Sequence, residues 1–420
     1  MNGSAGAGDA ETTSWDEEKA IAAARAFDLR HLDPGFLEDP YPTYHALRRY
    51  DPIHRMADGS YILTRYEDVV ATYQDHARMS SDKRVEFKPK YGDSPLYEHH
   101  TTSLVFRDAP FHTRVRGRIS GALTPRALGA LEPRVVAVVD HLLDRAAKAG
   151  GMDLIADYAS ALPIEVIGDM LGVPRDERGP LRGWSLAILG ALEPVLSAAQ
   201  FERGCRAVED FKAYLRELIT HRRTHPGDED GEILGTLIAP GAGGQELTET
   251  ELLHQCIFLL NAGHETTTNL IGNGVEALFR FPDEKARLNA DPDLIRGAVE
   301  EFLRFESSNQ LGNRRTITDV TIGGVVLPAG TQVTLCIGAT NRDPSVFPEP
   351  DRLDITRSPN RHLAFGAGIH ACAGMSLARM EGRIAVGRLL ARFPEVHASV
   401  PFVRGGRARF RGFLSLPVAF

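Results

Sequence analysis

The stretch AFGAGIHACAG, residues 364–374, constrains the fold more than any other part of the chain. Its three glycines, Gly366, Gly368 and Gly374, leave the backbone around Cys372 free to take turns that other residues resist. They also remove side-chain bulk from both sides of the sulfur. Something large must therefore lie against this loop, and the rest of the chain must fold so as to hold it there.

With 420 residues, of which 43% are hydrophobic, the chain can bury a large core. Its formal net charge of −8 provides no basic excess to neutralise a phosphate backbone, so no nucleic-acid partner is expected. No segment approaches the roughly 18 uninterrupted apolar residues of a membrane-spanning helix, which predicts a soluble, cytoplasmic protein with no membrane partner. Residues 1–22 are expected to form a mobile polar tail, and residues 23–420 a single domain.

The four cysteines are widely spaced, and no two of them form a Cys-x-x-Cys pair. This spacing argues against zinc ribbons, iron–sulfur clusters and covalent haem attachment, and it fits a reducing compartment. Cys205, Cys256 and Cys336 are expected to be small buried apolar residues. Cys372 alone stands in a context that points to chemistry.

Apolar residues recur at three- and four-residue spacing between about residues 40 and 287, which predicts mainly helical structure. The alternation in GSYILTRY and the β-branched, glycine-punctuated stretch VTIGGVVLPAGTQVTLCIGATN predict small sheets with tight turns. Two stretches of low regularity, residues 80–103 and 225–245, are expected to be long loops. The predicted fold class is therefore mainly α with small β-sheets.

Residues 246–282 predict one long helix, with a capping-box start at Thr248 and Glu251 and a proline stop at Pro282. At the α-helical rise this segment would span roughly 45 Å, enough to cross a whole domain. The sequence therefore places this helix through the core.

The centre of this helix is unfavourable for a helix on its own, because it contains glycine and β-branched threonines. Phe258, Ala262 and Thr266 share one face, with Asn261 and Glu265 alongside. Small residues here would let a flat ligand approach the backbone, and the Thr266 hydroxyl can bond a carbonyl one turn back or hold a water. The alternative is a kink packed against another helix, with Glu265 simply solvated.

Three motifs, FGAGIHACAG, AGHETT and EEFLR, stand in an order and at spacings that resemble the haem-thiolate monooxygenases called cytochrome P450. The family pattern F-G-x-G-x-H-x-C-x-G is matched at every fixed position, by Phe365, Gly366, Gly368, His370, Cys372 and Gly374. The resemblance covers nearly the whole chain after the tail. It implies a single triangular helical unit with a long central helix over the haem.

By this resemblance the cofactor is haem b and O2 is a co-substrate. Cys372 is implied to be the metal ligand, bound to the iron as a thiolate and shielded by Phe365. Ala262 and Gly263 are implied to accommodate dioxygen, and Glu265 and Thr266 to deliver protons. The carboxylates of the haem need cationic or hydrogen-bonding partners, and the family positions are occupied by His112, Arg116, Arg314 (or its neighbour Arg315) and His362.

Glu301 and Arg304 match the E-x-x-R helix of the family, in which the two side chains form a buried ion pair. Arg352 is expected to be the third member of this network, although Leu353 stands where phenylalanine is usual. The resemblance further implies insertion of one oxygen atom from O2 into a small organic substrate. Electrons are expected from a small acidic ferredoxin and its reductase, which would dock on a face carrying Arg114, Arg118, Arg379 and Arg383.

The substrate pocket is expected to draw on residues 85–105, on Leu189 and Leu192, and on Phe258, Asn261, Ser308, Asn309, Gln310, Leu311 and Phe413. The polar members favour a substrate with at least one hydrogen-bonding group. Equally, these side chains can satisfy backbone groups in a local turn. The sequence leaves open whether the product arises by hydroxylation, dealkylation, epoxidation or desaturation.

Two other classes of function compete with this interpretation. A haem-binding sensor or carrier with the same fold has no need of a proton relay, so Glu265 and Thr266 argue against it. A cysteine hydrolase would pair Cys372 with a histidine such as His370, but sequence spacing alone does not orient such a pair. The presence of stoichiometric haem would exclude the hydrolase.

Overall fold

The computed structural model describes residues 16–225, 233–239 and 246–420, and shows the mainly helical fold with small sheets that the sequence predicts. The helices of these ranges are, in chain order, α1 Glu17–Ala26, α2 Pro34–Glu38, α3 Tyr41–Tyr50, α4 Tyr66–Gln74, α5 Arg84–Tyr91, α6 Pro95–Thr102, α7 Phe111–Ala122, α8 Pro125–Ala149, α9 Ala161–Leu171, α10 Leu181–Gly190, α11 Ala198–Thr224, α12 Ile233–Ile238, α13 Glu249–Arg280, α14 Pro282–Ala290, α15 Ile295–Phe305, α16 Ile337–Thr340 and α17 Met375–Arg392. The strands are β1 Ile53–Arg55, β2 Tyr61–Leu63, β3 Met79–Ser80, β4 Gly151–Asp153, β5 Leu311–Thr316, β6 Val320–Ile322, β7 Val325–Leu327, β8 Gln332–Cys336, β9 His397–Ala398, β10 Val403–Arg404, β11 Phe413–Ser415 and β12 Pro417–Ala419.

The largest sheet has five strands in the order β1-β2-β8-β5-β3, and only β2 and β8 run parallel within it. In the β5–β8 pair Arg314 lies opposite Val333 and Arg315 opposite Gln332. Because successive side chains of a strand point to opposite faces, the two arginines are directed to different sides of the sheet. A second sheet has the order β4-β12-β9, and two hairpins, β6-β7 and β10-β11, complete the β structure.

Helix α13 is the predicted long helix, and its capping box is formed in both directions by Thr248 and Glu251. It runs for 32 residues to Arg280, and Pro282 then opens α14. Its neighbours are α6, α9, α10, α11, α12, α14, α15 and α17. One core cluster extends from Phe87 to Val418 and includes the buried apolar residues of α13. Helix α13 is thus the element around which the rest of the core is packed.

The first helix begins earlier than the sequence-based expectation allows. Residues 17–22, placed in a mobile tail, belong to α1, whose first turn is capped by the Asp16 carboxylate accepting from the Lys19 N–H. Helix α1 packs on α3 and buries Ala24 there, which explains its order. Residues 1–15 lie outside the described residues.

The two stretches expected to be loops also contain helices. Residues 80–103 form α5 and α6, and α12 lies within residues 225–245, of which 226–232 and 240–245 are outside the described ranges. Helix α5 contains Pro89, a residue that argues against a helix when only the sequence is considered. Helix α6 begins after Ser94, whose hydroxyl caps it by accepting from the Tyr97 N–H. No helix in the described part of the chain has the length and apolar character needed to cross a bilayer.

Candidate functional site

The loop around Cys372 is shaped by two glycines in the left-handed region, Gly366 at φ +64° and Gly368 at φ +70°. A Cβ atom at Gly368 would collide with the carbonyl oxygen of Tyr73 in α4, so only glycine fits there. The loop closes on itself where the Cys372 N–H donates to the Phe365 carbonyl at 2.9 Å. The Cys372 side chain is left exposed. The backbone therefore turns so as to present the thiol.

Charges and backbone dipoles around this thiol act on its ionisation. Desolvation by the surrounding protein raises the pKa of Cys372, whereas a hydrogen bond from the Gly374 N–H and the positive charges of Arg116 and Arg379 lower it. The Arg379 guanidinium also lies 4.7 Å from the centroid of the Phe365 ring. The groups that oppose desolvation are those that stabilise a thiolate, as a metal-bound cysteine requires.

Cationic and hydrogen-bonding side chains gather near the loop. His112 of α7 is 2% exposed, and neither of its ring nitrogens has a hydrogen-bond partner. Its ring centroid lies 4.0 Å from that of His370. Burial, followed by the charges of His370 and Arg116, lowers the pKa of His112 to about 4. Arg314 of β5 is buried nearby, with its guanidinium 5.0 Å from the Tyr73 ring.

This set of groups fits the carboxylates of haem. A buried histidine without partners, next to two arginines, calls for an acceptor, and an anionic group supplies one. Asp108 is a carboxylate of the neighbourhood, but it already accepts from the Ser80 hydroxyl and the Ser81 N–H, and its Oδ1 lies 3.9 Å from Nε2 of His370. The residues present are therefore suited to an external acid.

The structure shows what two further candidates for binding the haem carboxylates, Arg315 and His362, contact. Arg315 does not substitute for Arg314, because its Nε reaches toward the Gly330 carbonyl, at 3.4 Å, on the other face of β5. His362 is engaged within the protein: its Nε2 lies 3.1 Å from Oε2 of Glu300, which also accepts from Arg379. A role for His362 toward haem stays a prediction.

The centre of α13 separates into an open face and a buried one. Phe258, Ala262 and Thr266 are at least partly exposed, whereas Asn261 and Glu265 are buried. The Thr266 hydroxyl donates to the Ala262 carbonyl at 2.7 Å, as the sequence predicts, and so keeps its oxygen available as an acceptor. The open face thus carries one hydroxyl among apolar side chains.

Gly263 lies where α13 packs against α9. A Cβ atom at this position would collide with Cδ1 of Ile167, so the missing side chain makes room for α9. Gly263 is nevertheless partly exposed. That Gly263 and Ala262 together let a ligand approach the helix stays a prediction.

Glu265 is not solvated, which contradicts that part of the alternative interpretation, although the helix centre does pack against α9. It is 6% exposed and forms an ion pair with Arg407, in the connection between β10 and β11. Burial raises the pKa of Glu265 to about 7, although the Arg407 charge opposes that shift. A carboxyl group with this pKa can release and regain a proton near neutral pH. Arg407 has no sequence motif that would have marked it.

The Glu301–Arg304 ion pair is present and fully buried, with N–O distances of 2.7 and 2.8 Å. The third member is Arg357, whose Nε donates to Oε1 of Glu301 at 3.2 Å. The prediction of Arg352 is wrong, because that side chain is 57% exposed and lies 3.5 Å from Glu349. Only its backbone carbonyl takes part, accepting from Arg304.

No motif in the sequence marked Arg357. It follows the buried residues Leu353 and Ile355 in an irregular segment, where the Arg357 N–H donates to the Asp354 carbonyl at 3.0 Å. The Arg357 side chain is 9% exposed.

Several of the predicted pocket residues are engaged in local structure. The Ser308 hydroxyl donates to the Thr266 carbonyl at 2.8 Å, and the Gln310 amide to the Ser307 carbonyl at 2.7 Å. Asn309 pairs with Phe410 through an isolated β-bridge. The Ser308 hydroxyl and the Gln310 amide nitrogen thus satisfy backbone groups, as the alternative interpretation expects, whereas Asn309 Oδ1 and Gln310 Oε1 have no hydrogen-bond partner among the described residues.

Leu311 and Phe413 are buried in the packed core. Leu311 belongs to a separate cluster with residues of α3, and Phe413 packs beside Gly272, about 9 Å along the helix from Thr266. Their part in the pocket stays a prediction. Asn261 remains a candidate: its Nδ2 is 3.4 Å from Nε2 of His99, and its Oδ1 has no partner.

Three of the four arginines expected to face an electron donor are held within the molecule. Arg114 pairs with Glu251, Arg118 donates to the Thr236 carbonyl at 2.6 Å, and Arg379 pairs with Glu300. Arg383 donates only to the backbone carbonyl of Arg379 among the hydrogen bonds of the described residues. Of the predicted set, Arg383 has the charge least committed to an internal partner.

Comparison with known proteins agrees with the loop and helix geometry. A family model described as Cytochrome P450 matches residues 191–397. The chain is 41% identical to a vitamin D(3) 25-hydroxylase of Pseudonocardia autotrophica, over 87% of this chain and 89% of that protein. It is 38% identical to the biotin biosynthesis cytochrome P450 of Bacillus subtilis, over 92% and 97% of the two chains.

Solved structures give the same result. The crystal structure of P450BioI in complex with an acyl carrier protein ligated to hexadec-9Z-enoic acid superposes with a TM-score of 0.87 at 37% identity, covering 93% of this chain and all of that one. The crystal structure of CalO2 does so with a TM-score of 0.88 at 34% identity, covering 94% and 99%. A mainly helical fold and a turned cysteine loop thus coincide with full-length similarity. The chain belongs to the cytochrome P450 family.

Membership in this family establishes the class of reaction. The protein is a haem-thiolate monooxygenase that uses haem b and O2 and inserts one oxygen atom into a small organic substrate. Electrons come from a ferredoxin and its reductase. The sensor or carrier alternative is not favoured, and a cysteine hydrolase is inconsistent with the family.

Proposed function

We propose that Cys372 is the axial thiolate ligand of the haem iron and that His112, Arg116 and Arg314 bind the haem carboxylates. The observation that carries this proposal is the loop of Cys372, which glycines at positive φ turn so that the thiol is exposed beside two arginines. The partnerless nitrogens of His112 supply the donors that a carboxylate needs. When bound, the haem supplies the activation of dioxygen, and the thiolate supports it by donating electron density.

The protons of the reaction are assigned to Thr266 and Glu265. The Thr266 hydroxyl stands on the open face of α13, where its oxygen can accept a hydrogen bond from water and hold that water in place. Glu265, one residue earlier on the buried side, holds a proton at its carboxyl group with a pKa of about 7. The two side chains together can hold and replace a proton without exposing the site to bulk solvent.

The substrate proposed is a largely lipophilic molecule with at least one hydrogen-bonding group. Names of relatives support this class: one is a vitamin D(3) 25-hydroxylase, and structures similar to this chain were determined with myristic acid and with testosterone. In this chain Phe258 and Ala262 make the open face of α13 apolar. Among the described residues, the side-chain oxygens of Asn261, Asn309 and Gln310 have no hydrogen-bond partner, and Asn261, which lies beside the open face of α13, is the first of them to test.

Spectral titration tests the substrate class. Myristic acid and testosterone should each be titrated into the haem-loaded protein, with displacement of the iron-bound water as the readout. Asn261→Leu should weaken binding of whichever of the two ligands forms a hydrogen bond with the Asn261 side chain. Unchanged spectra and affinities in Asn261→Leu would remove Asn261 from the proposal.

Two further assignments stay proposals of the same kind. The protein is placed in the cytoplasm, which its four free cysteines support. The proposed single domain begins at Glu17 and not at residue 23, because α1 packs on α3, and its largest core cluster runs from Phe87 to Val418.

The experiment that tests the haem ligand is an absorption spectrum of the dithionite-reduced protein with and without carbon monoxide. A strongly red-shifted Soret band in the carbonyl complex is expected, and Cys372→His should abolish it while Cys205→Ser, a matched cysteine variant, retains it. A red-shifted band that persists in Cys372→His would overturn the assignment of the ligand.

A further inference from the structure

Three charged residues from separate parts of the chain meet in one ion-pair cluster. Arg407, in the β10–β11 connection, binds Oε1 of Glu265 in α13 and, through its Nε, Oε1 of Glu193 at 3.0 Å. Glu193 lies in residues 191–197, which join α10 to α11 and are named here the α10–α11 connection. The side chains of Glu193, Arg407 and Glu265 are 11%, 19% and 8% exposed. A single guanidinium thus holds two buried carboxylates.

Glu193 is held firmly in this arrangement. Its Oε2 accepts from the backbone N–H groups of Ala408 and Arg409 at 3.2 and 3.3 Å, so both of its oxygens are bound by the β10–β11 connection. Hydrogen bonds to a carboxylate are stronger than those between neutral groups. The α10–α11 connection is therefore anchored to the β10–β11 connection by its one glutamate.

The opposite side of the α10–α11 connection is bound to α5. The Lys90 ammonium donates to the Glu193 carbonyl and the Tyr91 hydroxyl to the Ala191 carbonyl, both at 2.7 Å. Residues 191–197 consequently bridge two elements that bracket them, α5 and the β10–β11 connection. Movement of the connection away from either element would break the bond between Glu193 and Arg407.

We propose that Arg407 and Glu193 are positioning residues for proton delivery, which make the proton affinity of Glu265 depend on whether the α10–α11 connection is closed. The proposal rests on the proposed function of Glu265. It does not require any contact of Glu193 or Arg407 with the substrate.

The sign of the coupling follows from the charges. The negative charge of Glu193 raises the pKa of Glu265, and the positive charge of Arg407 lowers it. Glu193 partly neutralises the charge of Arg407. If the connection opens, Glu193 departs and Arg407 pairs with Glu265 alone, so the carboxylate form of Glu265 is favoured. When the connection closes, Glu265 gains proton affinity. The acid is then protonated preferentially when the site is covered.

Infrared difference spectroscopy of the haem-loaded protein tests this coupling. The carboxylic-acid band of Glu265 is identified by its loss in Glu265→Gln and followed over pH. Glu193→Gln should shift its midpoint to lower pH by about one unit. Arg407→Gln should shift the midpoint to higher pH, and Arg407→Lys should restore part of the original value. Glu202→Gln, an exposed variant on α11, is the matched control and should leave the midpoint unchanged.

Reciprocity provides a second measurement, because coupling between two sites acts in both directions. Glu265→Gln, which mimics the protonated acid and leaves Arg407 to pair with Glu193 alone, should decrease deuterium uptake in residues 191–197 at a pH where Glu265 is ionised, although its side chain is joined to them only through Arg407. An unchanged Glu265 midpoint in folded, haem-loaded Glu193→Gln protein would overturn the proposal, whatever the behaviour of the Arg407 variants.

The failure of this proposal and the failure of the proposed function give different results. The readout is the fraction of the supplied electrons that is recovered in oxidised myristic acid. If Glu265→Gln leaves this fraction unchanged, Glu265 does not deliver protons and that part of the proposed function is wrong. If the fraction falls but Glu193→Gln leaves the titration midpoint of Glu265 unchanged, the proposed function stands and the coupling is absent.

Discussion

Glu301 shows how a charge is kept inside this protein at the scale of one residue. Its carboxylate is completely buried, and it accepts from Arg304, Arg357, Asn360 and the Asp354 N–H. A buried charge costs several kcal/mol unless it is paired and hydrogen-bonded, so each of these donors offsets part of that cost. The network fixes α15 to the irregular segment that leads toward the Cys372 loop.

Removal of Arg357 should therefore destabilise the protein far more than removal of Arg352. Arg357→Ala is expected to lower the free energy of unfolding by about 2 kcal/mol, because Glu301 loses one charged donor. Arg352→Ala, its matched control, should change it by less than about 0.5 kcal/mol, as expected of an exposed side chain. Urea unfolding of the haem-loaded variants measures both values. Equal losses in the two variants would contradict the assignment of Arg357.

The same residues show what the sequence can predict about a site. The Glu301–Arg304 pair is predictable, because residues three apart on a helix meet on one face. Arg357 was missed because its contact depends on the path of an irregular segment. Gly263 was predicted to allow close approach to the helix, but the sequence could not show that Ile167 packs against one side of it.

At the scale of elements, α13 and α17 hold the two main motifs against each other. Thr267 follows Thr266 and donates to Oε2 of Glu381 at 3.5 Å, and α17 begins three residues after Cys372. Glu381 is almost completely buried, and burial raises the pKa of its carboxyl group to about 8. The contact between the two helices therefore contains an acid that is neutral at pH 7.

This burial predicts a pH dependence of stability. Between pH 4.5 and about 8 the folded protein keeps the Glu381 proton that the unfolded chain loses, so stability falls as the pH rises through this window. The glutamine in Glu381→Gln cannot titrate. As the pH rises through this window, the free energy of unfolding of the variant should therefore increase relative to that of the wild type by about 1 kcal/mol per pH unit.

Urea unfolding at several pH values between 5 and 8 measures this slope. Glu209→Gln, an exposed variant on α11, serves as the control and should track the wild type. Parallel curves for Glu381→Gln and the wild type would contradict a raised pKa at Glu381.

Helices differed in how well the sequence predicted them. The capping box and the proline stop of α13 are local signals, and both were recognised correctly. Helices α5 and α6 are only eight residues each, and α12 has six, so periodicity has too few turns to appear. Their order derives from tertiary packing, which is why they were expected to be loops.

For the whole molecule, the distribution of charge decides how electrons arrive. The net charge of −8 disfavours approach of an acidic ferredoxin unless a local basic surface attracts it. Internal ion pairs already occupy Arg114 and Arg379, and Arg118 is bound to carbonyls. Arg383, partly exposed on α17, is the predicted docking residue whose charge remains most available.

Arg383→Glu should slow reduction of the haem iron by ferredoxin several-fold at low ionic strength, because it reverses a charge that attracts the acidic donor. The difference should shrink as salt is added. Arg175→Glu, which reverses an exposed charge on a different surface turn, is the control for net charge. Stopped-flow reduction rates measure the effect, and identical rates for Arg383→Glu and Arg175→Glu would exclude Arg383 from the docking surface.

The central position of α13 also decides where new specificities can be engineered. Most of its side chains are committed to neighbouring helices, and even Gly263 and Gly274 are filled by Ile167 and Phe302. Ala262 and Thr266 are at least partly exposed on the remaining face, and Phe258 is only partly buried against the core. Substitutions at the buried positions of α13 are expected to destabilise the protein. Residues 84–106 and 181–197 also contain core residues such as Leu96 and Ile188, so a library for substrate choice belongs at their exposed apolar positions, Val85, Val105, Leu186 and Val195.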